Sequence, residues 1–116
     1  MDFNDKQRFI QEKARDNAFD LAAEKILWSR HGVAALIDDG LSRADVEIAL
    51  QRSHIIEDYP PTHRPLPDCL VLAVLSPDKP IHAVIAIDEP HDRIFIVTVY
   101  IPTNDRWEND WQTRKR

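Results

Sequence analysis

Two parts of the chain carry side chains with chemistry to offer: the segment Ser29-Arg30-His31-Gly32, and the strand-like run Ile94 to Pro102, read together with His82. His31 falls in the first turn of a helix that Ser29 would cap. Backbone donors and Arg30 there can hold an anion beside a ring able to move a proton. A helix start disfavours a cation, and a general base works from the neutral imidazole. His82 supplies a second imidazole. If Asp88 pairs with Ile94 across the intervening turn, His82 lies opposite Tyr100 and Val84 opposite Thr98. A slip of two residues sets His82 against Thr98 instead. Either register brings an imidazole beside a hydroxyl. Both histidines also have a structural reading: His31 can bond a backbone carbonyl or stand in water, and His82 can simply hydrogen-bond Tyr100 near a strand end.

Other chemistries find less support. His31, His54, His63, His82 and His91 show neither the i, i+4 helical spacing nor the cysteine pairs of a metal site, so no metal or other cofactor is expected. With only Gly32 and Gly40, the chain has no glycine-rich phosphate loop, and no motif supports a Ser-His-Asp hydrolase. Cys69 is the one cysteine and sits in an apolar run, where it reads as a small buried hydrophobe.

The elements that must position these groups change period near Ser53. Residues 5 to 23, free of Gly and Pro, predict a helix with a thin apolar stripe of Ile10, Ala14, Leu21 and Ala18 that docks weakly or serves a partner. Lys25 to Ser29 extends that helix or forms a short strand. Ser29 and Ser42 are expected N-caps of helices over 31–39 and 43–51, with Gly40 as a left-handed stop between them. From His54 onward the period is two: strands over 54–59, 69–75, 81–88 and 93–101, with a proline-rich loop after the first. The last strand should put Ile94, Ile96, Thr98 and Tyr100 on one face and Phe95, Val97, Val99 and Ile101 on the other. Short connections predict that the last three strands form an antiparallel meander. The expected whole is an α+β domain: a four- to five-stranded antiparallel sheet, two short helices on one face, and an extra N-terminal helix. Its parts are a helical extension over 1–24, one domain over 25–107 and a polar tail over 108–116. From Thr103 on, Trp107 and Trp111 stand four apart and could form one helical face.

At 116 residues with 43% hydrophobic side chains, the chain suits a single core. No apolar run approaches the length of a membrane span and no secretory leader opens the chain, so a cytoplasmic protein is expected. The net charge of -5 argues against broad attraction to nucleic acid, although arginines punctuate the middle and Arg114-Lys115-Arg116 closes the chain.

The motifs S-R-H-G at 29–32, G-L-S-R-A-D-V at 40–46, I-I-E-D-Y-P at 55–60, K-P-I-H-A-V at 79–84 and V-T-V-Y-I-P at 97–102 resemble, in this order, the bacterial family called domain of unknown function 4258. That family commonly has H-A where this chain has His31-Gly32. The resemblance implies a first strand over 25–29 and a RelE- or barnase-like toxin architecture. It also implies kinship with RelE-like ribonuclease toxins and a partnership with a small zinc-finger antitoxin. The expected activity is then metal-independent endonucleolytic cleavage of RNA. His31 and His82 would be acid and base, Tyr100 would orient or donate a proton, and Arg30, Arg64 or Arg52 would meet the phosphate beside Thr98. The alternative is a non-catalytic module that binds a protein through its N-terminal helix or a sheet edge.

Overall fold

The computed structural model describes residues 1–59 and 65–115. Helix α1 (Phe3–Phe19) leads into a short 3-10 turn (Leu21–Ala23), strand β1 (Ile26–Trp28), helix α2 (Arg30–Asp38) and helix α3 (Arg43–Ala49). Strands β2 (His54–Tyr59), β3 (Asp68–Ser76), β4 (Lys79–Asp88) and β5 (Arg93–Tyr100) complete a five-stranded sheet in the order β1-β5-β4-β3-β2. Strands β3 to β5 form the expected antiparallel meander, and β2 joins it antiparallel to β3. The sheet as a whole is mixed, because β1 runs parallel to β5, with Ile26 opposite Ile94 and Trp28 opposite Ile96. No hairpin joins β1 to β5, so no short connection dictates their relative direction, and the local pattern carries no sign of it.

The two helix starts follow their capping residues. The Ser29 side chain accepts from the Gly32 amide, and that of Ser42 from the Asp45 amide. Gly40 takes the left-handed conformation, with φ of 62°, where α2 ends. Ser29 also donates through Oγ to the Val97 carbonyl at 2.8 Å, fastening the α2 start to β5. This approach is so close that a Cβ on Gly32 would stand 2.6 Å from the Ile96 carbonyl oxygen. An alanine could not occupy this position without a shift of backbone.

Helix α1 departs from the thin-stripe expectation. It ends at Phe19, because Asp20 is extended and its side chain caps the following 3-10 turn through the Ala22 amide. Ala18 and Leu21 are exposed; the inward face is Lys6, Ile10, Lys13, Ala14 and Asn17. Ile10 and Ala14 join the core, and the polar residues between them are paired. Lys6 Nζ meets Asp58 at 2.5 Å, Lys13 Nζ meets Asp92 at 2.6 Å, and Asn17 donates to Glu47. Gln7 Oε1 accepts from the Ile55 amide and Gln11 donates to the Ser53 carbonyl, so α1 also tends the β2 edge.

The core lies between the helices and one face of the sheet. Leu36, Val46 and Leu50 meet Ile55, Cys69, Val71, Ala73, Ile81, Ala83, Ile85, Ile87, Ile94, Ile96 and Val99. Cys69 is wholly buried, and desolvation pushes its thiol up to about 12. Among the described residues, no helix is long and apolar enough to cross a membrane.

Candidate functional site

The alternation expected for β5 breaks at a bulge. Ile85 pairs with Ile96 and Val84 with Thr98, leaving Val97 as the extra residue. Ile94, Ile96 and Val99 therefore face the core, while Thr98 and Tyr100 turn to the opposite face. The grouping of Ile94 and Ile96 with Thr98 and Tyr100 is corrected accordingly. The Val97 carbonyl, freed from regular pairing, accepts the Ser29 hydroxyl. Across β4, Ile81 and Ala83 belong to the core, so His82 between them points to the second face. His82 stands directly opposite Tyr100, and Val84 opposite Thr98.

His82 is 0% exposed and both ring nitrogens are engaged. Nε2 lies 2.6 Å from the Trp111 carbonyl oxygen and Nδ1 lies 3.1 Å from the Tyr100 hydroxyl. A carbonyl can only accept, so Nε2 carries the proton and donates. Nδ1 of the neutral ring is then the acceptor, and Tyr100 donates to it. Burial lowers the His82 pKa below its ordinary value, although the Trp111 carbonyl opposes this, so the neutral tautomer prevails at pH 7. Burial raises the Tyr100 pKa.

The cover over this face is the segment after β5, which is not helical. Trp107 forms a bridge with Arg114, Lys115 donates to the Arg106 carbonyl, and Glu108 donates to the Thr113 carbonyl. Asp110 closes the turn by accepting from the Gln112 and Thr113 amides. Trp107, 2% exposed, meets the His82 ring edge-on at 4.4 Å between centroids. Arg114 lies over the Trp107 ring at 4.7 Å and grips Glu57 with Nε at 2.5 Å and Nη2 at 2.9 Å. Glu57 also accepts the Tyr59 hydroxyl. Arg114 foremost holds the Glu57 carboxyl below its usual range, and burial foremost raises the Tyr59 phenol. The expected tail is thus a strap that brings Arg114, Trp107 and the Trp111 carbonyl to one cluster with Glu57, Tyr59, His82 and Tyr100.

Of the residues singled out from sequence, the structure brings together His82 and Tyr100, with Thr98 two residues along the same face of β5. His31 and Arg30 are exposed at the start of α2, and Arg52 is exposed after α3. Among the described residues, no hydrogen bond, ion pair or ring contact joins any of these three to His82 or Tyr100. Arg64 lies outside the described residues. Glu57, Tyr59, Trp107 and Arg114 were not among the expected site residues. The motif I-I-E-D-Y-P puts an acid and a phenol two apart on a strand, hence on one face, but nothing local ties them to residues 107–114. Among the described residues no group of three or more His, Cys, Asp or Glu side chains could hold a metal ion.

A family model described as Domain of unknown function (DUF4258) matches residues 28–101. Comparison with the curated proteins and with the solved structures finds no match.

Proposed function

The chain belongs to the domain of unknown function 4258 family, a membership that brings no activity with it, and we propose that it is a metal-independent endoribonuclease. In this reading it is the RelE-like toxin of a bacterial pair, acting in the cytoplasm and checked by a small zinc-finger antitoxin. The observation that carries the reading is the hydrogen bond from the Tyr100 hydroxyl to the neutral His82 ring, with Glu57 and Arg114 on the same face. Cleavage begins when the Tyr100 oxygen takes the proton of an RNA 2'-hydroxyl while passing its own proton to Nδ1 of His82. The 2'-oxygen bonds to phosphorus as the bond to the 5'-oxygen breaks. The leaving 5'-oxygen recovers the proton from Tyr100, and the imidazolium restores it to Tyr100, leaving a 2',3'-cyclic phosphate and a 5'-hydroxyl. The Trp111 carbonyl and the Glu57 carboxylate steady the transient imidazolium.

The test is cleavage of a mixed-sequence RNA by purified full chain freed of any partner. Tyr100→Phe keeps the ring and its packing and should lower cleavage about 100-fold, the usual worth of a general acid or base. His31→Ala should change it little, because His31 stands apart from the cluster. EDTA should leave the rate unaltered. A Tyr100→Phe protein as active as wild type would refute the path.

A second reading, a non-catalytic protein-binding module, is favoured by a different observation. Phe19 is 95% exposed, and Leu21 and Ile48 are exposed large apolar side chains. Leu21 and Ile48 line one pocket with Ala18 and Ala44, and a contiguous exposed apolar patch marks a contact site for a partner. Wild-type protein that is folded and inert toward RNA would leave this reading standing.

A further inference from the structure

A cleft of about 340 Å³ opens where β5 runs out into the strap, lined by Tyr100, Ile101, Pro102, Thr103, Arg106, Trp107 and Arg114. Its charge is unlike that of the chain as a whole. Two guanidinium groups line it and no carboxylate does, on a protein with a net charge of -5. Arg114 uses Nε and one Nη2 hydrogen on Glu57, so three of its five N–H groups remain. Arg106 is exposed, and among the described residues its side chain has neither an ion pair nor a hydrogen bond. Carboxylates border the cleft without lining it: Asp105 accepts from Thr103 Oγ1 and faces the Arg106 charge, Asp39 accepts from the Ile101 amide, and Asp110 is held in its turn by Gln112 and Thr113.

We propose that this cleft binds the phosphate group of a nucleotide between Arg106 and Arg114. Two planar forks with free N–H groups match the oxygens of a phosphate, and neither guanidinium can lose its charge near neutral pH. Ile101, 39% exposed and backed by the buried Pro102 and Trp107, gives the apolar surface that a sugar or base would lie against, and the volume exceeds what a bare anion fills. Tyr100 borders the same space, so a phosphate held here would stand beside the hydroxyl assigned above to proton transfer. The proposal extends the ribonuclease reading to its substrate contact, yet phosphate binding is measured without cleavage and can fail separately.

The experiment titrates the full chain with uridine 3'-monophosphate, inorganic phosphate and uridine, following the arginine Nε–H and tryptophan indole N–H signals by NMR. Uridine 3'-monophosphate should bind saturably and move the Arg106 and Trp107 signals, with uridine and inorganic phosphate much weaker. Arg106→Ala, a change at an exposed position that leaves the core untouched, should weaken binding about tenfold or more. Arg106→Lys, which keeps the charge and loses the fork, should fall between. Arg30→Ala should bind as wild type. Absence of saturable binding at millimolar nucleotide, equal binding of uridine, or an Arg106→Ala protein that binds as wild type would overturn the cleft. Inorganic phosphate binding as tightly as the nucleotide would reduce it to a general anion site and overturn the nucleotide assignment. Arg106-dependent binding by a protein that cuts no RNA would uphold the cleft and sink the nuclease. Cleavage that persists in a protein with no phosphate binding would do the reverse.

Discussion

His82 is held by groups that dictate its tautomer, and that arrangement has a cost at low pH. Burial lowers its pKa below the ordinary 6.5, so the unfolded chain takes up the proton before the folded one does. Below 6.5 the unfolded state binds more protons, and stability falls with falling pH until folded His82 is protonated too. Glu57, Asp88 and Asp92 have carboxyl values below the ordinary range, so their contribution is lost only in more acid solution. The urea midpoint should therefore decline between pH 7.5 and 5.5, ahead of the carboxylate limb. A ring-proton titration of His82 by NMR should give a midpoint below 6.5, and a midpoint at or above it would refute the buried neutral ring. The pairing of His82 with Tyr100 was legible because a short connection sets the register of β4 and β5. Two deviations cancel there: Asp88 pairs with Arg93 rather than Ile94, and the bulge at Val97 restores the offset. Nothing in I-V-T-V marks that bulge, since β-branched residues suit a regular strand equally well.

At the scale of elements, the helices that declare their own ends were readable and the one that depends on distant partners was not. Ser29, Ser42 and Gly40 act within four residues of themselves, so α2 and α3 follow from local chemistry. Helix α1 hides its docking because Lys6, Lys13 and Asn17, polar by type, are turned inward, the lysines paired with Asp58 and Asp92 and the amide hydrogen-bonded to Glu47, all far away in sequence. Burial draws the Lys13 ammonium down, but Asp92 and Asp16 outweigh it and raise its pKa above the ordinary value. Glu47 ties three elements at one point, accepting from Asn17 of α1, Trp28 of β1 and Arg43 of α3. A docked α1 and a loose one make different demands on two apolar residues. Ile10, fully buried, should cost about 2–5 kcal/mol as Ile10→Ala. Leu21, 72% exposed, should cost within about 0.5 kcal/mol as Leu21→Ala. Equal and small losses on urea denaturation would mean that α1 does not belong to the cooperative unit.

Viewed whole, the molecule has one sheet with two covered faces, and only one cover could be foreseen. The helical face announces itself through periodicity. The strap over the other face is polar in composition, and its anchors are Glu57 and His82, which residues 107–114 meet only in the folded chain. Electrostatics at this scale bears on RNA binding. A net charge of -5 supplies no attractive field for a polyanion, so association must rest on local cations. If Arg106 and Arg114 are the phosphate contacts, few counterions are released when RNA binds. A single-stranded site loses about 0.7 in log K per log salt for each phosphate neutralised, so two contacts give a slope near -1.4. Fluorescence anisotropy of a short labelled RNA on the Tyr100→Phe protein, across a series of potassium chloride concentrations, measures that slope without interference from cleavage. Arg106→Ala should bring it close to -0.7. A slope several times steeper would mean that a wider basic surface, drawing on residues such as Arg30, Arg52 or Arg93, carries the RNA instead. The two-arginine cleft would then be too small a part of the contact to account for recognition.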